Sequence, residues 1–410
     1  MDLPALRHMA RYFLHMQIPA GPGVFDMGDT GRWKHAGQRG RMNLTNHAMF
    51  YAVAKELDDP LSQLVGDLLS QRKPPEEYSA AAFIWQDPDV KAAELREQKP
   101  YHHFKDHDVV AWRDRWHVHA TCVLFRSGPP LGHSAVEPLA RFADWGINAG
   151  HTHPDIGAFW LASGGRYLAV DTGYTARKFT REHSTLLVDG QGQGMDGQYH
   201  NDRGMPYERF DKARLTAVHM TDDYLHATGE FSAVYPETLG LKKLERTVVA
   251  TKDWMITWDT MRADAPRKLT WLVHADREFE KEESGAWVSY AVDEEGPNFV
   301  VVPLSGDLVA KAAPTIVLAG TSPAVPGDPT ERAHHLSLTT KAAAQHRIAT
   351  LLIPLPASRA TPKVMLLEDS PIRLRIAIQW QHRGVETITI HRGDVPQAGQ
   401  ARPPLIRTIE

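Results

Sequence analysis

The chain has 410 residues, 42% hydrophobic, 9% aromatic and 23% charged, a globular composition that excludes a disordered or fibrous protein. Lys and Arg number 46 and Asp and Glu 50, so the net charge is −4 and no basic excess points to nucleic acid. A single cysteine, Cys122, excludes an intrachain disulfide, and no run of about 18 apolar residues marks a membrane span.

The first residues, Met1-Asp2-Leu3-Pro4-Ala5, lack the basic and apolar regions of a signal peptide. Apolar residues at Leu6, Met9, Ala10, Phe13 and Leu14 predict a helix over Leu3–Gln17. A glycine-rich loop follows over Pro19–Gly40, where Asp29, Trp33 and Arg39 read either as cleft-lining or as surface-loop residues. Asn43 or Thr45 is placed to cap a second helix, which runs through Ala48, Tyr51, Ala54 and Leu57. Pro60 opens a third, with Leu61, Leu64, Val65 and Leu68 on one face, and Pro74-Pro75 ends it. The last two form an αα-hairpin that needs neighbours to bury its apolar face.

From Asp108 the period changes to two. Strands are expected at Val109–Trp112, Val118–Phe125, Phe159–Ala162, Tyr167–Val170, Ser184–Val188, Leu225–Phe231 and Leu244–Ala250. More follow at Trp254–Thr260, Lys268–His274, Trp287–Val292, Phe299–Val302, Ile348–Ile353, Ile372–Gln379 and Glu386–His391. Leu269, Trp271 and Val273 alternate, as do Trp254, Ile256 and Trp258, which suggests half-buried antiparallel strands. Many short strands between Gly, Pro and Asp turns predict a large antiparallel β-sandwich. The expected fold is α+β and mostly β, with a helical segment over 1–105 and the sandwich over 106–410.

Histidine does little for a core, so 22 of them invite a search for metal or proton chemistry. The stretch from Gly150 to Gly190 concentrates that chemistry. His151 and His153 lie two apart, so an extended chain would turn both to one face. Asp171 ends the strand Tyr167–Val170, and His183 precedes the strand Ser184–Val188. Converging strand ends would bring His153, Asp171 and His183 together, and two imidazoles with one carboxylate suit Zn²⁺. Chance pairs such as His102-His103 also occur, so hydrogen-bonding loop histidines remain the alternative. Arg177-Lys178, near Arg181, reads either as a patch for a carboxylate or sulfate or as a solvated loop. Tyr174 reads either as a proton-transfer phenol or as a packing tyrosine.

Three blocks carry a family resemblance: Gly150-His151-Thr152-His153-Pro154-Asp155-Ile156-Gly157-Ala158-Phe159-Trp160, Val170-Asp171-Thr172-Gly173-Tyr174, and Glu182-His183-Ser184-Thr185-Leu186-Leu187-Val188-Asp189-Gly190. In this order they resemble the heparinase II/III-like polysaccharide lyases, which include oligoalginate lyases. Weaker similarity extends over Phe104–Pro129 and from Leu244-Glu245-Arg246-Thr247-Val248 to Asp259. The resemblance implies an (α/α) toroid followed by an antiparallel β-sandwich, and β-elimination on a uronate-containing glycan. It implies a structural zinc on His153, Asp171 and His183, and His151 facing the substrate cleft as a catalytic residue. Tyr174 is a second catalytic candidate, and Arg177 and Lys178 are candidates for binding substrate. Ser184 stands where the family usually has Asn.

The family's main catalytic Tyr lies in its toroid, and no convincing counterpart is visible here; the register of Tyr12 with Phe13 and Met16 suggests packing. The expectation is therefore the C-terminal part of a lyase with a partial toroid. The implied partner is an acidic poly- or oligosaccharide, with no nucleic acid and no membrane span, and a homo-oligomer is left open. A periplasmic or extracellular location comes from the resemblance alone. The alternatives are a non-catalytic carbohydrate-binding fragment and a metal-dependent hydrolase.

Overall fold

The computed structural model describes residues 4–18, 23–28, 47–71, 80–141, 151–194, 196–198, 205–292, 296–318, 328–392 and 404–409. The expectations for Asp29, Trp33, Arg39, Asn43, Thr45 and Pro74-Pro75 lie outside these residues.

The first helix spans Pro4–Met16, and the predicted hairpin is formed by His47–Leu57 and Pro60–Ser70. Asp59 caps the latter, its Oδ2 accepting from Ser62 N at 3.1 Å, and Pro60 supplies a preset φ at the first turn. Ala10 and Leu14 pack on Phe50, Val65 and Leu69, so the hairpin buries its apolar face against the first helix. A short fourth helix, Ala80–Trp85, completes the helical part among the described residues.

The strands form four sheets, all with antiparallel pairing. The first sheet runs in chain order through Tyr101–Phe104, Val109–Arg113, Cys122–Arg126, Phe159–Ser163 and Arg166–Ala169. Tyr101–Phe104 pairs with Val109–Arg113, so the β part begins before the expected boundary at residue 106. An eight-stranded sheet is centred on Leu241–Ala250, Met255–Arg267 and Ala343–Pro356. A third sheet holds Leu186–Val188, Leu269–Ala275, Pro329–Thr339 and Val309–Leu318. The last, C-terminal sheet holds Lys363–Asp369, Arg373–Trp380, Gly384–His391 and Leu405–Ile409.

The expected sandwich has three β layers. Val170 N donates to His274 O at 3.0 Å, which sets the first and third sheets side by side as one layer. That layer packs Val110, Trp112, Phe125, Phe159, Leu186 and Trp271 onto one face of the eight-stranded sheet. The other face of that sheet packs Trp254, Ile256 and Trp258 against Ile376, Ile378, Ile388 and Ile390 of the C-terminal sheet. Trp254–Thr260 is thus buried on both faces, which corrects the half-buried reading. Val109, Ala111, Leu124 and Trp160 turn outward from the first sheet and are covered by Met16, Ile18 and Phe25. The helical part therefore lies against the first sheet, whose ends carry the motif segment.

Candidate functional site

Pro154-Asp155-Ile156-Gly157 is held in place by buried polar contacts. Arg126 Nη1 donates to Asp155 Oδ1 at 2.7 Å, and both side chains are buried. The Gln193 side chain accepts from Ile156 N at 3.0 Å and donates to Ile156 O at 2.6 Å. Gly157 has φ +77°, and a Cβ there would lie 2.5 Å from the Phe231 ring, so only glycine fits. These contacts leave the chain just before them little freedom, and His153 is there.

Across the site, Asp171 Oδ1 accepts from Thr172 N at 2.7 Å, while Oδ2 lies 2.7 Å from His183 Nδ1. His153 and His183 have ring centroids 5.2 Å apart. One ligand atom from each of His153, Asp171 and His183 lies within 4.8 Å of the other two, and all three residues are at most 2% exposed. The structure thus brings together the three residues that spacing and resemblance put forward as one site.

Its electrostatics favour a cation. Burial opposes a charged His183, but the carboxylates of Asp171, Asp155 and Glu182 outweigh it and hold the imidazole up at about 9. Glu182 is itself buried, which pushes its carboxyl up to about 8. His183 Nε2 is buried with no hydrogen-bond partner among the described residues. An orphaned buried nitrogen costs about 1–3 kcal/mol, and a metal ion would satisfy it. Two imidazole nitrogens and a carboxylate oxygen are a donor set that Zn²⁺ accepts.

The other expected residues separate. His151 is exposed whereas His153 is buried, so the two neighbours differ in surroundings, and the segment that carries them belongs to no strand. The glycine-rich loop reaches His151 from the helical part: a Cβ on Gly28, at φ +68°, would lie 2.9 Å from His151 O. The same loop is pinned by a hydrogen bond from the Tyr167 phenol to Asp26 Oδ1. Tyr174 is half-buried, with Lys178 Nζ 5.9 Å from its ring centroid. Lys178 is fully buried and donates to Thr175 O at 2.9 Å, while its neighbour Arg177 is exposed. The patch foreseen at Arg177-Lys178 is thus one exposed cation and one internal one. Tyr12 lies among Phe13 and Phe104 in edge contacts, in keeping with packing.

Residues that hold the site were missed in sequence. Arg246 is fully buried in the eight-stranded sheet and donates to Gly157 O at 2.7 Å and Ser184 O at 3.0 Å. Its charge is met by Asp259, directly opposite on the next strand. The signal was a lone arginine before the apolar run Val248–Ala250, since buried arginines are rare unless paired. Ser184 Oγ accepts from His274 N at 3.1 Å, which ties this turn to the neighbouring strand.

Residues 96–405 match the family described as heparinase II/III-like, C-terminal. No curated protein matches the chain. Among solved structures it is similar to the heparan sulfate lyase HepC from Pedobacter heparinus, with a TM-score of 0.64, 15% identity, and coverage of 94% of this chain and 53% of that one. It is also similar to heparinase III, with a TM-score of 0.64, 13% identity, and coverage of 94% and 54%. A xanthan lyase from Paenibacillus gives a TM-score of 0.50, 12% identity, and coverage of 87% and 36%. At these identities the likeness is one of fold, and the chain spans about half the length of the two heparinases. The family model covers most of the chain, and the protein therefore belongs to the heparinase II/III-like family through its C-terminal domain.

Proposed function

We propose that this chain forms the β part of a polysaccharide lyase that cleaves a uronate-containing glycan by β-elimination. The observation that carries the reading is the buried His153–Asp171–His183 cluster, which lies within residues 96–405 that match the family. The four helices read as the last hairpins of an (α/α) toroid.

The three residues would hold a zinc ion. Bound there, zinc supplies a fixed cross-link between three chain segments, a structural rather than a reactive role. The chemistry falls to side chains around it. The proton at uronate C5 is too weakly acidic to leave unless the adjacent carboxylate is neutralised as negative charge develops. His151, exposed beside the cluster, is placed to neutralise that carboxylate or to carry a proton. Tyr174 supplies a phenol for proton transfer to or from the sugar. Arg177 offers an exposed guanidinium to an acidic group of the glycan, while Lys178 holds the loop that presents it.

The test is new ultraviolet absorbance from unsaturated products when the purified chain is incubated with alginate, heparan sulfate, hyaluronan and ulvan. Absorbance with at least one of them is expected, and its loss in His151→Ala. Saturated products would assign a hydrolase instead. Absence of any product on all four would overturn lyase activity for this chain.

A further inference from the structure

We propose that a cationic groove on the far side of the eight-stranded sheet is a second binding site, for the sulfate or carboxylate groups of an acidic saccharide. The choice of a saccharide rests on the lyase reading; the choice of an anion does not.

The groove encloses about 420 Å³, and Lys243, Arg262, Ser305, Gln345, Arg347 and Asp369 line it. Its floor is two rows of cross-strand neighbours. Arg262 lies directly between Lys243 and Gln345, and Thr260 lies between Glu245 and Arg347. Two like charges directly opposite on adjacent strands destabilise a sheet unless something compensates them. The local carboxylates are already engaged. Glu245 is held by Lys243 at 3.0 Å and Arg392 at 3.2 Å, and Asp369 by Arg347 at 3.0 Å. Asp307, beside the Ser305–Gly306 rim, is turned to Lys341 at 3.5 Å. Arg262 is exposed and has no acidic partner among the described residues. Four cations thus meet two carboxylates, on a chain whose overall charge is −4.

Neutral donors complete the arrangement. Ser305 Oγ accepts from Ala349 N at 2.9 Å, which leaves its hydroxyl hydrogen free to be donated, and the Gln345 amide stands beside Arg262. A planar guanidinium with adjacent hydroxyl and amide donors matches the oxygens of a carboxylate or sulfate.

The groove is separate from the metal cluster. Residues alternate along a strand, so Thr260 and Arg262 share a face with Trp258, which packs on the C-terminal sheet. Asp259 points the other way, to Arg246 and the motif segment. A saccharide in the groove is therefore held independently of His151 and Arg177.

Calorimetric titration of the full chain with a heparin-derived hexasaccharide, an alginate hexasaccharide and inorganic sulfate tests this. One of the two oligosaccharides should bind wild-type protein, with affinity falling as salt rises. Arg262→Ala should weaken the groove's share of binding about tenfold, and Arg262→Glu should abolish it without lowering the melting temperature. Arg177→Ala should leave that share intact. Three results would overturn the site: no oligosaccharide binding, equal binding and stoichiometry in wild type and Arg262→Glu, or binding of sulfate as tight as that of either oligosaccharide, an adventitious ion only. Arg262-dependent binding without unsaturated product on any glycan would keep the groove and sink the lyase reading. Unsaturated product with unchanged binding in Arg262→Glu would do the reverse.

Discussion

Arg246 and Asp259 face each other on neighbouring strands, fully buried and 2.7 Å apart, and the same guanidinium binds the carbonyls of Gly157 and Ser184. Those carbonyls belong to the two blocks that supply His153 and His183. One arginine therefore ties the eight-stranded sheet to both histidine-bearing segments. Arg246→Ala leaves Asp259 buried without its cation and two carbonyls without a donor. Breaking a buried pair in this way costs about 3–5 kcal/mol. Urea unfolding should show that loss, and Arg246→Lys should recover little of it, because an ammonium cannot reproduce the fork. Unchanged stability in Arg246→Ala would remove this clamp from the account.

The metal assignment makes a separate forecast. Purified protein should carry one zinc per chain by elemental analysis, and a chelator should lower its melting temperature. His153→Ala, Asp171→Ala and His183→Ala should each lose the zinc, and the chelator should then have no further effect. Zinc-free wild-type protein with an unshifted melting temperature after added zinc would refute the assignment.

Much of this site was legible because its chemistry is carried by residue type and order. His153, Asp171 and His183 stand at the ends of segments whose strands are apolar enough to recognise. His151 and His153, expected on one face, differ in exposure, since a period of two sorts burial only along a strand packed in a sheet and this segment belongs to no strand. Trp254, Ile256 and Trp258 alternate with Met255, Thr257 and Asp259, and the two polar residues make that face read as wet. In the fold Thr257 accepts from Trp271 Nε1 at 2.9 Å and Asp259 pairs with Arg246, so the polar face is buried too. That could not be read locally, since both partners are distant in sequence or hidden in another strand. Arg214–Met220 and Lys363–Asp369 escaped notice because their mixed, largely uncovered faces give weak periodicity. Other histidines among the described residues have structural roles: His103 and His133 both bind the Asp108 carboxylate, at 2.8 and 3.1 Å.

Buried neutral histidines should make the fold sensitive to acid. Burial lowers His226 from 6.5 to about 4, and its Nε2 lies 3.2 Å from His391 O. A histidine whose folded pKa is lowered adds stability above its unfolded pKa, which is lost as pH falls toward the folded value. The gap is worth on the order of 3 kcal/mol between pH 6.5 and 4. His102, also lowered by burial to about 4, acts in the same direction. Unfolding free energy measured across this window should fall less steeply in His226→Gln than in wild type. Parallel curves would show that His226 is not buried in its neutral form.

The adjacent cations Arg177 and Lys178 should behave in opposite ways. Arg177 is exposed, so Arg177→Ala should leave the melting temperature within error. If it meets an acidic group of the glycan, the loss of one charge-assisted contact raises KM about tenfold with kcat little changed. Lys178 is fully buried, with its ammonium on Thr175 O at 2.9 Å. Lys178→Ala removes a buried donor and the packing of the stem at once, so it should lower the melting temperature clearly. Lys178→Met keeps most of the stem and should recover part of that loss, leaving the unmet carbonyl as the remainder. Glycan binding by the folded fraction of Lys178→Met should stay near wild type. If instead Lys178→Met kept its stability and lost glycan affinity, the ammonium would belong to the cleft, and Arg177 would lose its role as the residue that meets the substrate.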